Sequence, residues 1–136
     1  MKSVKVSDYM VNYVLSVEED TDLFKAIGLM LKHKVASVPV LGKKDRVVGM
    51  LSQWDCLRQI LAGSYSEEIG GVVKDLMDPT VHTVTPNDDI VDVAAAMTSK
   101  GWHLSLPVVE RGELIGTIGC PDILEAIYDF DTHKAA

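Results

Sequence analysis

Ser37-Val38-Pro39-Val40, a polar turn, then Gly49-Met50-Leu51-Ser52-Gln53-Trp54-Asp55: this order returns as Ser105-Leu106-Pro107-Val108, a turn, then Gly116-Thr117-Ile118-Gly119-Cys120-Pro121-Asp122. Outward from this stretch, Asp8, Met10, Val14, Val17, Asp22, Met30, Gly49, Asp55, Leu57 and Ile60 recur as Asp75, Met77, Val81, Val84, Asp89, Met97, Gly116, Asp122, Leu124 and Ile127. Each stands 67 positions on. The Ser-x-Pro-Val pair stands 68 apart, which requires one extra residue before Ser105 and one fewer in the turn that follows. A fixed internal period is a statement about architecture. Two copies do not make a solenoid; the expected arrangement is a pair in which each unit buries one face against the other, leaving two related clefts.

The 136 residues suit one compact domain or two tightly joined halves, burying roughly two-thirds of the chain's surface. Hydrophobic residues at 47% and charged residues at 24% are ordinary for a globular protein. A net charge of −7 with no Lys/Arg run argues against broad nucleic-acid or anionic-membrane binding. Met1–Met10 lacks the apolar core of a signal peptide, and no apolar run approaches the roughly 20 residues of a membrane span. The two cysteines, Cys56 and Cys120, occupy non-equivalent repeat positions, so neither a disulfide framework nor a zinc site is indicated. The chain reads as cytoplasmic.

Each repeat carries the same order of elements. Asp20 or Thr21 is placed to cap a helix whose apolar residues Leu23, Ala26, Ile27, Met30 and Leu31 share one face. A β-type run over Ala36–Leu41 contains Pro39, which suggests an edge strand. Gly42–Arg46 is a turn, Val47–Leu51 the returning strand, and a helix follows from Gln53 to Leu61 with Leu57, Ile60 and Leu61 expected inward. The second copy predicts a strand at Val81–Val84, a helix over Asp89–Lys100, a hairpin at Leu104–Ile118 and a helix over Asp122–Asp129. The domain reading is repeat 1 at 4–62, a Gly/Ser/Glu linker at 63–71, repeat 2 at 72–130 and a tail at 131–136.

Ser52 ends a strand that passes directly into a helix, and Asp55 follows three residues on. Both side chains can therefore point at one spot at a helix N-terminus. A carboxylate that accepts two hydrogen bonds suits a vicinal diol, and exposed helix N–H groups suit an anion. The same pair also serves as an ordinary helix cap, with Asp55 favouring the positive end of the helix.

Taken with the repeat, this order of strand, helix, x-Ser-x-Pro-Val hairpin and Gly-x-x-Ser-x-x-Asp helix resembles a tandem pair of cystathionine-beta-synthase (CBS) domains, a Bateman module, over Val4 to Phe130. The resemblance implies an α/β (α+β) fold of two β-α-β-β-α repeats packed around a pseudo-twofold axis. It implies clefts that take an adenosine-containing ligand such as AMP, ADP, ATP or S-adenosylmethionine, with no required cofactor. It implies a regulatory role toward an effector protein, and further pairing into a homodimer. Carried over by position, Ser52 and Asp55 match the ribose-binding hydroxyl and carboxylate. The first cleft would join them to the Asp78–Val81 stretch, including Thr80 and Val81, and to His103, Leu104 and Ser105. The second would join Asp122 to the Val11–Val14 stretch, including Val14, and to Val35, Ala36 and Ser37.

Two departures qualify the match. Gly119 stands where a Ser or Thr is expected, so the second cleft lacks a ribose contact worth about 1 kcal/mol or more and should bind weakly or not at all. Ser37 and Ser105 stand where polyphosphate-binding members often carry Arg or His, which leaves room for a ligand with little phosphate. The nearby cations are His33, Lys34, Lys100 and His103.

The four histidines, His33, His82, His103 and His133, show no metal-ligand spacing, and surface or capping roles are expected. Trp54 and Trp102 could stack on a base or a partner; Trp102 reads as core or dimer contact. Cys56 reads as inert and Cys120 as reachable. No constellation of nucleophile, base and orienting group is present, and the symmetric Asp55 and Asp122 are not the unlike pair that acid–base catalysis uses. The expectation is thus a non-enzymatic ligand sensor that signals through a separate partner or through self-association. The alternative is a ligand-free structural or oligomerisation module.

Overall fold

The computed structural model describes residues 3–12, 14–63, 71–102 and 105–135, the last four without their side chains. In chain order the elements are α1 (Val6–Tyr9), β1 (Val17–Glu18), α2 (Leu23–His33), β2 (Ser37–Leu41), a 3-10 turn (Lys43–Asp45), β3 (Val47–Ser52), α3 (Gln53–Leu61), α4 (Val73–Leu76), α5 (Ile90–Ser99), β4 (Ser105–Glu110), β5 (Glu113–Gly119) and α6 (Cys120–Ala135). The mixed α/β class expected from the sequence is the class observed. Most of the expected linker, 64–70, and the site candidates His103 and Leu104 lie outside the described residues. Among the described residues no helix is long and apolar enough to cross a membrane.

The chain forms two compact units, Leu15–Val81 and the combination of Met1–Val14 with His82–Ala136. These do not coincide with the two sequence repeats. The opening segment of each repeat packs into the unit built on the other repeat's hairpin.

In the unit Leu15–Val81, β2 pairs antiparallel with β3 and parallel with β1. Pro39 therefore sits in the central strand. It is tolerated because β1 pairs only with Val40 and Leu41, beyond the proline. Asp22, rather than Asp20 or Thr21, caps α2, accepting from Lys25 N–H at 3.1 Å, while Thr21 Oγ1 accepts from Glu18 N–H. The predicted apolar face of α2 buries Leu23, Ala26 and Met30 against Val38, Val40, Leu51 and Cys56. Residues from the opening of the second repeat complete this core. Val73 and Leu76 are buried in it, Val73 N–H donates to Thr21 O at 2.9 Å, and Lys74 N–H donates to Glu19 O at 2.9 Å.

The other unit repeats the plan. Its core comprises Val84, Ile90, Val93, Leu106, Val108, Ile118, Ile123 and Ala126, closed by Val6 from the N-terminal segment. Arg111 and Gly112 both adopt positive φ, 54° and 82°, in a two-residue turn between Glu110 and Glu113. The predicted strand at Val81–Val84 reduces to one parallel bridge, Val84 with Val108. The last helix runs to Ala135, through the stretch read as a tail. Tyr9 Oη donates to Asp129 Oδ2 at 2.7 Å, and this acceptor carboxylate raises the phenol's pKa above its ordinary value.

Several repeated residues have one job in both units. Asp8 and Asp75 each accept from the backbone N–H three residues earlier, Lys5 at 3.1 Å and Val72 at 3.3 Å. Gly49 and Gly116 lie where a returning backbone crosses the hairpin, at the bridges Met50–Asp78 and Val11–Thr117. A Cβ on Gly49 would stand 2.6 Å from Met77 Sδ and 2.8 Å from Asp78 O; one on Gly116 would stand 2.5 Å from Val11 O.

Gly116→Ala should therefore destabilise the protein by about 1–3 kcal/mol, the usual range for overpacking. Gly28→Ala, in the open interior of α2 with nothing within 4 Å, should stabilise it by about 0.5–1 kcal/mol. Urea melts of the two variants check both signs. Thiol chemistry gives a second test. Cys56 is buried, its thiol pKa pushed up by that burial and by the adjacent Asp55 carboxylate, whereas Cys120 is exposed. A thiol reagent should label Cys120 in the native protein and reach Cys56 only in denaturant.

Candidate functional site

β3 ends on Ser52, whose extended backbone places its hydroxyl over the first turn of α3. Ser52 Oγ accepts from Asp55 N–H at 2.9 Å. The capping role considered for this serine is thus realised, and the hydroxyl retains its own proton to donate. Because Ser52 satisfies the helix end, the Asp55 carboxylate is not needed there. It pairs through Oδ1 with Arg58 Nη2 at 3.2 Å, one helical turn on.

Asp55 and Arg58 line a pocket of about 200 Å³ together with Gln59, Leu76, Met77 and Asp78. The far wall is held by backbone. Asp78 N–H and O exchange hydrogen bonds with Met50 at 2.8 and 3.0 Å, and Gln59 Nε2 donates to Leu76 O at 2.8 Å. Thr80 N–H donates to Asp78 Oδ1 at 2.9 Å, turning the chain at the pocket's edge. The Asp55 side chain is 20% exposed and that of Arg58 60%, so the guanidinium is the more solvent-exposed partner of the pair.

Of the residues singled out in the sequence, Ser52, Asp55, Thr80 and Val81 fall in this unit, as do Val35, Ala36 and Ser37. The structure brings Asp55 and Asp78 into one pocket. Val35 and Ala36 are tied to the start of α3, their carbonyls accepting from Gln53 Nε2 at 2.8 Å and Gln53 N–H at 2.9 Å. Ser37 pairs with Ser52 across the hairpin. Ser105, Asp122 and Val14 belong to the other unit, where Ser105 pairs with Gly119.

The second motif is built differently. With glycine at 119 there is no hydroxyl to cap α6, and the Asp122 carboxylate folds back to accept from Gly119 N–H at 2.8 Å. The carboxylate pairs with a side chain, Arg58, in the first motif and with backbone in the second. The position equivalent to Arg58 holds Glu125, so the guanidinium also has no counterpart.

Sequence reasoning passed over Arg58 and Gln59. Their signal is helical spacing, three and four residues beyond Asp55, which sets all three on one face. Elsewhere, His82 and Trp102 stack with ring centroids 4.4 Å apart at 10°, with Lys100 Nζ 5.6 Å from the indole. Trp102 packs on the core as expected, and His82 is its ring partner. Among the described residues no three His, Cys, Asp or Glu side chains converge on a metal position.

A family model for the CBS domain matches residues 6–62 and again 73–129. An uncharacterized protein of Methanocaldococcus jannaschii, MJ1225, is 27% identical over 122 residues, covering 90% of this chain and 42% of that protein, so this chain spans less than half of it. Among solved structures, that of CBSX2 in complex with AMP has a TM-score of 0.77 and 26% identity, covering 93% of this chain and 98% of that one. The CBS domain pair of MJ0100, in complex with 5′-methylthioadenosine and S-adenosylmethionine, has a TM-score of 0.80 at 17% identity, covering 93% and 98%, and shares the fold. Hairpin, capped helix and closing segment recur in both units, and each repeat is matched in turn: the chain belongs to the CBS domain family, as a tandem pair.

Proposed function

We propose that this CBS pair is a cytoplasmic regulatory module that binds an adenosine-containing ligand at the first motif and passes the binding event to a partner protein. The observation that carries the reading is the division of labour between Ser52 and Asp55. The hydroxyl caps the helix, and the partly buried carboxylate lines a pocket with Arg58 and Asp78. A carboxylate so placed accepts both hydroxyls of a ribose diol. The structurally similar CBSX2, which binds AMP, supports the ligand class; ADP, ATP and S-adenosylmethionine belong to the same class through their ribose and adenine. Regulation follows by population shift, since a ligand biases an equilibrium only through unequal contacts with its states. At the second motif, where Asp122 accepts from Gly119 N–H and position 119 carries no hydroxyl, weaker binding is expected. The role is regulatory, not catalytic.

Self-association with a second copy belongs to the same reading. α3 exposes Trp54, Leu57 and Leu61, and α6 exposes Leu124, Ile127 and Tyr128. Leu57 and Leu124 are repeat equivalents, as are Leu61 and Tyr128. Apolar faces in matching positions of both repeats suit a symmetric homodimer.

A thermal-shift titration with AMP, ADP, ATP, adenosine and S-adenosylmethionine tests the ligand class. At 100 times its dissociation constant a ligand adds about 2.7 kcal/mol of stability, which moves the melting temperature by several degrees. The shift should vanish in Asp55→Ala and persist in Asp122→Ala; an unchanged shift in Asp55→Ala would refute the site. For the dimer, light scattering should find two chains in the native protein and one in the Leu57→Asp, Leu124→Asp double variant.

A further inference from the structure

We infer that Arg58 makes the first motif selective for a nucleoside 5′-monophosphate over the corresponding nucleoside, an inference that rests on the ribose reading of Asp55. Arg58 Nη2 lies 3.2 Å from Oδ1 of the carboxylate that would accept the ribose hydroxyls, and both side chains line one pocket. A diol arriving at Asp55 competes for the lone pairs that hold the guanidinium. The displaced group remains tethered three residues along the same helix, in the same pocket, where it can meet what the ribose carries.

Guanidinium is planar, permanently charged and has five donors in a fork that fits phosphate oxygens. With its guanidinium 60% exposed, the Asp55–Arg58 pair is open to solvent on one side and contributes little to stability, so Arg58 exchanges its partner easily. Among the described lining residues Arg58 is the single cation, beside the carboxylates of Asp55 and Asp78. Among these lining residues one phosphate finds a cationic partner and further phosphates find none. Glu125 at the equivalent position of the second repeat would repel even the first.

Calorimetric titration of the full chain with adenosine, AMP and ATP, in wild type, Arg58→Gln and Asp55→Ala, tests this. Arg58 is largely exposed, so Arg58→Gln should fold and melt as the wild type does without ligand. The wild type should bind AMP on the order of tenfold tighter than adenosine, as one charge-assisted hydrogen-bonding contact supplies, and ATP no tighter than AMP. Arg58→Gln should bring AMP to the adenosine level and leave adenosine within about twofold, since no adenosine contact is removed. Equal binding of AMP and adenosine by the wild type, or a preference that survives in Arg58→Gln, would overturn the selectivity while leaving the ribose site standing. Tightest binding of ATP would overturn the monophosphate limit. If none of the three binds, or if Asp55→Ala binds them unchanged, the ribose site itself fails and the selectivity falls with it.

Discussion

Each hairpin in this protein is closed by a backbone that crosses it with no room for a side chain. At Met50 with Asp78, and at Val11 with Thr117, the returning segment exchanges hydrogen bonds with the second strand. Beside each bridge a glycine lets the two chains approach. Most of what distinguishes the fold depends on this crossing. It seats Val73 and Leu76 in one core and Val6 in the other. It also fixes the wall opposite α3, since Asp78 reaches the pocket only because its own backbone is pinned to Met50.

On that frame the two motifs diverge through a contest over one helix end. A helix N-terminus offers several unpaired N–H groups, and something must accept from its surroundings. Where Ser52 supplies a hydroxyl, the carboxylate three residues on remains available and finds Arg58. Where Gly119 supplies none, Asp122 becomes part of the cap. The two aspartates, at the same place in the repeat, thus find different partners: a guanidinium in one motif and the backbone in the other.

The fold was legible because its signals are local and doubled. The α2 face at Leu23, Ala26 and Met30 and the Ser-x-Pro-Val hairpins needed only periodicity and turn chemistry. Pro39 misled because a strand can be central yet paired on one side for part of its length. The helix cap moved from Asp20 or Thr21 to Asp22 because Thr21 turned to Glu18 instead. Compact units were less legible than repeats, since similarity in sequence does not reveal which hairpin a segment joins. In the candidate site, Ser52 and Asp55 stood out by motif, whereas Arg58 and Gln59 look like an ordinary solvated helix face until the pocket appears beside them.

The exchange of opening segments has a consequence for how the chain comes into being. Tyr9 and Asp129, joined by a hydrogen bond, are separated by 120 residues. Made from its N-terminus, the protein must keep Val6 without its core until the last hairpin and helix emerge. The unit Leu15–Val81, by contrast, is complete once Val81 has been made. Maturation is therefore ordered: the unit carrying the Asp55 pocket can close first, and the one carrying Asp122 only once α6 has been made.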